Sequence, residues 1–544
     1  CKGRITMQNK PKVLLVYPGS KSLSEAIPLC LSYVAQSLLK INIDVSIIHM
    51  GRDNIKKIPK DNYLFVGISM LTGKMILNGL KVAKLIKEYN NKIPIVLGGI
   101  HPSLLPEESL KNKYVDIVVI GDGEETIKEL AQCLLSNDNM SGVKGIAFKD
   151  ACQNITINPP RELIDLNSLD IDMPYHLLGR TFLKNRYALP IHTSRGCPYR
   201  CSFCYSPAFN KRKYRAKSAE RVADEIDYYY KKYNINFFDF TSEDEFFIDP
   251  FRFCEIFKIL AKKGIKISWN AFCRIDTFDR ALNNMGNEFM QLLKDSNCYA
   301  LNFGIESGSQ RMLDEVIKKD IKVQQIYRTV DALKTYKIPH RLNFIFNYPL
   351  ETEDDIKSTF DVIDRISDNN SYIALALTPA LTPLPKTSIL DILVEKYNFK
   401  IPTTLEGWGR YAVPISYRNV TWHTKEYAKM GYNFGIISTF PFHQNFESYR
   451  MYKEFICTST DMYPSGYISY ILTKIQRRRY KNKFYALNFE VILFSKLRNT
   501  FGLVGRYVFN VILKKYLPRK YLDMLHEVFG TTARSLKKIK EIQK

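Results

Sequence analysis

Short β-branched runs alternate with amphipathic segments of helical length along residues 12–148. The runs have the length of strands, and the segments between them repeat apolar residues every three or four positions. The predicted strands are Lys12–Tyr17, Asp44–His49, Leu64–Ser69, Ile93–Leu97 and Val115–Ile120. The predicted helices are Pro28–Leu39, Lys74–Tyr89, Glu107–Leu110 and Glu124–Leu135. This rhythm predicts a Rossmann-like, doubly wound parallel sheet with ligand sites at the carboxyl ends of its strands.

A second alternating series follows a linker at 149–187, where periodicity is poor and breakers such as Pro159 and Pro160 are frequent. Its predicted strands are Ala188–Thr193, Phe237–Thr241, Ile267–Ala271, Tyr299–Ile305, Arg341–Asn347 and Ile373–Leu377. With a helix after most strands, residues 188–400 predict a partial (βα)6 barrel of TIM type, whose chemistry lies on the loops after the strands. Residues 401–544 predict a mostly helical C-terminal region. The fold class is therefore α/β.

Charge is concentrated at the end of the chain. The formal net charge is +24, and Lys474–Lys544 carries 18 basic and 4 acidic residues. Phe489–Lys514 predicts an amphipathic helix with a basic polar face, which either packs on its own domain or lies on an anionic membrane surface. The membrane alternative favours a lipid or other hydrophobic substrate. Nucleic acid is disfavoured as a partner, because no RNA-binding module accompanies the basic residues.

Cysteine usage and hydropathy favour the cytoplasm. The eleven cysteines are irregularly spaced, which favours reduced thiols. The first apolar run has the length of a strand, so no secretory leader is predicted. No apolar run reaches the length of a membrane span. We expect a cytoplasmic protein, with peripheral contact at the membrane if the basic tail binds lipid.

Three of the cysteines form a close set: Cys197, Cys201 and Cys204 share one loop after a predicted strand. Thiolates are soft ligands that suit iron–sulfur clusters or zinc. A structural zinc site needs four protein ligands, and no fourth Cys or His lies nearby in sequence. Three ligands on a four-iron cluster would leave one iron open for chemistry. The alternatives are a zinc site with a distant ligand and three incidental cysteines.

This spacing, C-x3-C-x-aromatic-C with Phe203 as the aromatic residue, resembles the signature of the radical S-adenosylmethionine (SAM) enzymes. The resemblance implies a 4Fe-4S cluster that binds SAM and cleaves it to a 5′-deoxyadenosyl radical. It also implies an external electron donor such as ferredoxin or flavodoxin.

Later motifs extend the resemblance to SAM binding. Glu243 and Asp244 occupy the place of the family's acidic pair for the SAM ammonium, although a solvated acidic turn would look the same. Arg274 is the implied partner of the SAM carboxylate, with a plain barrel salt bridge as its alternative. Glu306 and Ser307 are implied to contact the ribose hydroxyls.

The fifth-strand motif departs from the family. Asn347 and Leu350 stand where the family usually has glycines, which predicts side-chain atoms in space that the family leaves open.

The first domain, 12–148, lacks G-x-G-x-x-G after its first strand, which disfavours an ordinary dinucleotide site. Its turns instead resemble those of cobalamin-binding domains fused to radical SAM barrels. The implied cobalamin-binding residues are Ser69, Leu71, Gly98, Gly99, His101 and Gly121. The loop Pro18–Glu25 contains no histidine, so the usual lower ligand of cobalt is absent there; His101 is an alternative, although a turn histidine bonded to backbone would look similar.

Together these motifs resemble the cobalamin-dependent radical SAM enzymes, which include C-methylases and the anaerobic magnesium-protoporphyrin ester cyclase. The leading hypothesis is an enzyme that methylates, or otherwise forms a carbon–carbon bond at, an unactivated carbon of a small-molecule or lipid substrate. A radical cyclase or oxidase without methyl transfer is the enzymatic alternative. A cobalamin-responsive sensor is the non-enzymatic one.

Overall fold

The computed structural model describes residues 10–19, 28–53, 58, 61–150, 152–179, 188–240, 245–368, 370, 372–378, 380–411 and 420–428. These residues divide into two compact units. The first comprises the described residues up to Ala271 together with 382–411, and the second comprises Phe272–Leu381 together with 420–428.

Strands and helices alternate through both units. The strands β1–β15 are, in order, Lys12–Tyr17, Asp44–His49, Tyr63–Ser69, Ile95–Gly98, Ile117–Val119, Ile146–Lys149, Ile155–Ile157, Leu189–Pro190, Ser194–Arg195, Arg215–Ala216, Phe237–Phe240, Ser268–Arg274, Cys298–Glu306, His340–Ile345 and Ile373–Thr378. The α-helices α1–α13 are, in order, Leu29–Lys40, Lys74–Tyr89, Ile100–Leu104, Pro106–Leu110, Glu124–Ser136, Ser206–Asn210, Ala219–Tyr233, Pro250–Lys262, Ile275–Asp295, Val323–Thr335, Glu353–Ser367, Ser388–Tyr397 and Leu405–Tyr411.

The first sheet has the strand order β2-β1-β3-β4-β5-β6-β7. Strands β1 to β5 pair in parallel, whereas β6 and β7 extend the sheet in antiparallel pairs. The predicted doubly wound sheet is therefore present, and it extends beyond residue 148 because Ile155–Ile157 pairs with β6. Breaker residues nearby hid this short strand from the periodicity.

Helices cover both faces of this sheet, which explains the continuous apolar runs of its strands. Leu14 and Val16 point into one hydrophobic core, and Val13 and Leu15 point into the other. All four side chains are buried.

A separate aromatic core in the first unit surrounds Trp269, a fully buried side chain on β12. Phe240, Phe246, Phe253 and Phe257 contact its ring, with centroid distances between 5.1 and 6.0 Å. Strands β8, β11 and the first half of β12 lie side by side in parallel. Through its pairing with β11, the strand β8 that leads towards the cysteine loop joins this part of the unit.

In the second unit, β13 pairs in parallel with β14, and β14 with β15. A π-helical turn at Met312–Val316 follows β13. Such turns often occur at functional sites. The fold class predicted for both αβ regions is confirmed, whereas residues 429–544, with their predicted amphipathic helix, lie outside the described residues.

Candidate active site

The cysteine loop begins at a backbone position that only glycine can occupy. Gly196 follows β9 with φ +85°, and a Cβ built there would lie 2.1 Å from the Lys213 carbonyl oxygen. A side chain would therefore clash with backbone as well as strain the left-handed conformation. Gly196 thus fixes the position from which Cys197 starts.

The loop gives its sulfurs surroundings that suit cluster ligands. Cys201 is buried, and Cys197 and Cys204 are half-buried. The Ser206 backbone N–H donates to Cys204 Sγ at 3.4 Å. Hydrogen bonds of this kind stabilise thiolate charge and tune iron–sulfur potentials. Phe203, half-buried, lies between the second and third cysteines.

Three soft sulfur donors on one short loop fit an iron–sulfur cluster. Within the described residues, no three His, Cys, Asp or Glu side chains gather around one common point. Cys197, Cys201 and Cys204 as cluster ligands remain the prediction made from their spacing.

Two contacts hold the loop within the first unit. The Ile389 backbone N–H, on α12, donates to the Ser202 carbonyl oxygen at 3.0 Å. The Arg252 guanidinium, on α8, donates to the carbonyl and hydroxyl oxygens of Thr193 at 3.3 and 3.2 Å. Residues far apart in sequence therefore hold the loop at Ser202 and the backbone that leads into it at Thr193.

Arg195 adds a contact that sequence reasoning missed. Its guanidinium donates to Glu124 at 2.7 Å and to Asp122 at 3.3 Å, and it lies over the Tyr33 ring at 4.8 Å. Burial alone would lower the pKa of Arg195, but the carboxylates of Glu124 and Asp122 raise it above its ordinary value. The arginine is therefore a permanent cation between the cysteine loop and the turn before α5.

The residues predicted to bind cobalamin lie at the carboxyl edge of the first sheet. Ser69 and Gly98 are register partners at the ends of β3 and β4, and Gly121 follows β5. No atom lies within 4 Å of a Cβ built at Gly98 or Gly121, so both glycines face open space. Leu71 exposes 43% of its surface beside them. An open, partly apolar edge fits a large flat ligand that approaches the backbone.

Gly99 has a different role from its neighbour. A Cβ there would lie 2.9 Å from the Met70 carbonyl oxygen, and φ is +96°. Ser103 Oγ donates to the Gly99 carbonyl at 2.7 Å and accepts from the Gly121 N–H at 3.0 Å. Ser103, which sequence reasoning missed, thereby ties the two glycine turns together.

His101 is fully buried. Its Nδ1 lies 2.9 Å from Thr72 Oγ1, and its ring packs edge-on against Trp408 of α13. Burial lowers the pKa of His101 to about 4, so the imidazole is neutral near pH 7. Its partner is the Thr72 hydroxyl rather than the backbone, and a role toward cobalt stays a prediction. Most of the loop Pro18–Glu25 lies outside the described residues.

The second unit holds Arg274, Glu306 and Ser307, three of the residues predicted to contact SAM. Arg274 is buried and donates to Asp276 at 2.8 Å, and Glu306 accepts from Lys319 at 3.0 Å. Arg274 also donates to the Lys319 carbonyl oxygen. Lys319, which no sequence pattern singled out, thus contacts both predicted residues.

Glu306 has φ +70°, an uncommon conformation for glutamate that favours a functional explanation. The Ser307 hydroxyl lies 3.2 Å from the Thr359 hydroxyl and accepts from the Ser309 N–H. The roles of Arg274, Glu306 and Ser307 toward SAM remain predictions. Glu243 and Asp244 lie outside the described residues.

The fifth-strand motif keeps a glycine-like backbone without glycine. Asn347 and Leu350 have φ of 59° and 65°. Asn347 also bonds to the segment 420–428, because it donates to the Ala428 carbonyl at 3.2 Å and accepts from Trp422 Nε1 at 2.9 Å. Asn347 therefore also holds the segment 420–428. The effect of both side chains on the space that the family leaves open stays a prediction.

Known families match both parts of the chain. The model of the radical SAM superfamily matches residues 191–363, and that of the B12 binding domain matches residues 18–131. The chain is 31% identical over 415 residues to a protein of Pyrococcus horikoshii named uncharacterized methyltransferase PH0819, which covers 73% of this chain and 87% of that protein. It is 25% identical to the anaerobic magnesium-protoporphyrin IX monomethyl ester cyclase of Rubrivivax gelatinosus, over 72% of this chain and 73% of the cyclase.

Solved structures share the fold. The cobalamin-dependent S-adenosylmethionine radical enzyme OxsB, solved with aqua-cobalamin and S-adenosylmethionine bound, superposes with a TM-score of 0.66 at 19% identity, over 90% of this chain and 75% of that one. The radical S-adenosylmethionine methyltransferase TsrM of Kitasatospora setae, with cobalamin and a 4Fe-4S cluster bound, gives 0.58 at 17% identity, over 71% and 75%.

Among the described residues, no helix combines the length and apolar character that a membrane span requires. The two matching families account for the cysteine loop and for the glycine-lined sheet edge. The chain belongs to the cobalamin-dependent radical SAM enzymes, whose cofactors are a 4Fe-4S cluster, SAM and cobalamin.

Proposed function

We propose that this enzyme transfers a methyl group from SAM to an unactivated carbon of a small-molecule or lipid substrate. One observation carries the proposal: the cysteine loop and the B12-binding sheet belong to the same compact unit. Methylation of such a carbon needs both a radical source and a methyl carrier. The relative from Pyrococcus horikoshii, named a methyltransferase, supports the same reaction class.

The bound cofactors supply the radical and carry the methyl group, and the protein supplies position and exclusion of water. Cys197, Cys201 and Cys204 would hold the cluster, leaving one iron without a protein ligand. Gly98 and Gly121 leave room at the sheet edge for a flat ring. In the second unit, Arg274 is proposed to bind the carboxylate of SAM, and Glu306 and Ser307 are proposed to bind its ribose hydroxyls.

A hydrophobic substrate and contact with an anionic membrane belong to the same proposal. The support is the basic composition of Lys474–Lys544, with 18 basic and 4 acidic residues. Lys and Arg near a membrane surface each contribute ~1 kcal/mol of attraction to anionic lipid. Ferredoxin or flavodoxin is the proposed source of electrons.

A cyclase without methyl transfer is the second candidate, since a relative of that name aligns over 72% of this chain. The relatives named above are transferases and cyclases, which favours an enzyme over a cobalamin sensor.

Isotope transfer tests the proposal. Lipids and small metabolites that change in a deletion strain provide candidate substrates. Incubation of reconstituted enzyme with these extracts and SAM deuterated in its methyl group should add three deuterons to one product, read by mass spectrometry. Turnover that consumes substrate and forms 5′-deoxyadenosine without label in the product would favour the cyclase. A protein that forms no 5′-deoxyadenosine with dithionite and SAM would contradict both candidates.

A further inference from the structure

The side chain just before the cysteine loop is held by the B12-binding domain. Arg195 precedes Cys197 by two residues, and its ion-pair partners Asp122 and Glu124 lie 73 and 71 residues earlier in the chain. Asp122 lies in the turn that follows β5, and Glu124 is the residue at which this turn leads into α5. A single guanidinium therefore joins the loop to this turn.

The contact between the loop and the turn is buried, and a second arginine reinforces it. Less than a fifth of the side chain of Arg195, Asp122 or Glu124 is exposed. Arg215, the register partner of Arg195 on β10, donates to the second oxygen of Asp122 at 2.7 Å. Charge-assisted bonds are strongest in such shielded surroundings. The planar guanidinium of arginine can donate hydrogen bonds to two carboxylates at once, a geometry that the ammonium of lysine cannot reproduce.

The backbone between Arg195 and Cys197 has little freedom to absorb movement. Gly196, the single residue between them, approaches the Lys213 carbonyl so closely that a Cβ would lie 2.1 Å from it. On the other side, the Thr193 carbonyl accepts from the Lys217 N–H at 2.8 Å and from Arg252 at 3.3 Å. A displacement of the Arg195 side chain is therefore transmitted to Cys197.

We propose that Arg195 is a positioning residue that, through Asp122 and Glu124, fixes the cysteine loop to the β5–α5 turn of the B12-binding domain. The proposal rests on the proposed function only in that the loop carries the cluster. Protein side chains would then keep the cysteine loop and the cobalamin-binding edge in register before any substrate binds.

The first test needs no cofactor. Glu124→Gln keeps the shape of the side chain but removes the charge that faces Arg195. Glu129→Gln is the control, because Glu129 lies on the same helix but pairs with Arg161 rather than with Arg195. We expect amide hydrogen exchange in residues 193–204 of the cluster-free protein to become about tenfold faster in Glu124→Gln, as loss of a charge-assisted bond predicts, and to stay unchanged in Glu129→Gln. Equal exchange in both variants would overturn the proposal.

The second test reads the cluster itself. Arg195→Lys keeps the positive charge but removes the planar guanidinium and its paired donors. At equal iron content per chain, the electron paramagnetic resonance spectrum of the reduced cluster with SAM should change in both Arg195→Lys and Glu124→Gln and match the wild type in Glu129→Gln. A merely structural role would lower the iron content and the unfolding temperature while the spectrum of the remaining cluster stayed the same; that result would overturn the proposal. Failure of the wild type to bind a cluster would contradict the proposed function, while the exchange experiment still decides the role of Arg195.

Discussion

Lys319 donates a hydrogen bond of 3.0 Å to Glu306, and both side chains are less than a tenth exposed. The ion pair forms inside the second unit, where Glu306 ends β13 in a left-handed conformation. A Cβ at Gly304 would lie 2.4 Å from the Glu306 carboxylate and 3.0 Å from the Lys319 ammonium. The glycine thus makes room for the pair, and the pair holds a strained residue in place.

Loss of the lysine should destabilise the second unit. Lys319→Met leaves the Glu306 carboxylate buried without its cation, and breaking such a pair from one side costs ~3 kcal/mol or more. Urea unfolding should report this loss. Lys322→Met is the control, because the Lys322–Asp314 pair is exposed and should contribute less than ~1 kcal/mol. Similar losses in the two variants would mean that burial of the Glu306 pair adds nothing.

Strands and helices, which depend on neighbouring residues, could be predicted from the sequence, whereas contacts between distant residues could not. Strands such as Lys12–Tyr17 and Asp44–His49 were predicted to the residue, because apolar runs and breakers are local signals. The contacts Lys319–Glu306 and Arg195–Glu124 join residues 13 and 71 positions apart. Nothing in their spacing distinguishes them from solvated charges, so only the fold reveals them.

The fifth-strand turn shows the same limit for backbone conformation. Asn347 and Leu350 stand where the family usually has glycines, and both adopt the positive φ that glycine favours. Asparagine tolerates this conformation because its side chain bonds locally. Here its side-chain amide donates to the Ala428 carbonyl. This partner lies 81 residues away, and no local sequence pattern predicts it.

Replacement of one cysteine should separate the two cofactors. Cys201→Ala removes a buried sulfur from the loop and should abolish cluster absorbance and SAM cleavage, while cobalamin retention on the first sheet stays near the wild-type level. Cys133→Ala is the control, since Cys133 is a buried cysteine of α5 whose thiol donates to the Asp138 carbonyl at 3.3 Å. Anaerobic reconstitution followed by absorbance and product analysis provides the measurement. Retained SAM cleavage in Cys201→Ala would contradict the cluster assignment.

A methyl group at the sheet edge should weaken cobalamin binding. Gly121 has φ +80° with no atom within 4 Å of a built Cβ, so Gly121→Ala costs about 1 kcal/mol of backbone strain without a clash. The added methyl group occupies the space offered to the ligand, and cobalamin affinity should fall about tenfold, equivalent to ~1.4 kcal/mol.

Gly264→Ala supplies the matched control. Gly264 has φ +68° and also faces open space, but it follows α8 rather than the B12-binding sheet. Both variants should lose similar stability, whereas only Gly121→Ala should lose affinity in equilibrium dialysis with hydroxocobalamin. Equal affinities would remove Gly121 from the cobalamin site.

The buried carboxyl of Glu351 should make the second unit less stable as pH rises. Burial raises the pKa of Glu351 to about 8, against the opposing effect of the hydrogen bond from the Asn347 N–H at 2.7 Å. An unfolded glutamate ionises near pH 4.5, so between about pH 4.5 and 8 the folded chain holds a proton that the unfolded chain has released. The unfolded state therefore binds fewer protons, and the free energy of unfolding falls with pH by at most ~1.4 kcal/mol per unit from this group.

The variant Glu351→Gln tests this pH dependence, because it keeps the shape of the side chain but cannot ionise. The free energy of unfolding in urea is measured for both proteins at several values between pH 5.5 and 8. The stability of the variant relative to the wild type should increase as pH rises. A constant difference across this range would show that Glu351 is already ionised in the folded chain.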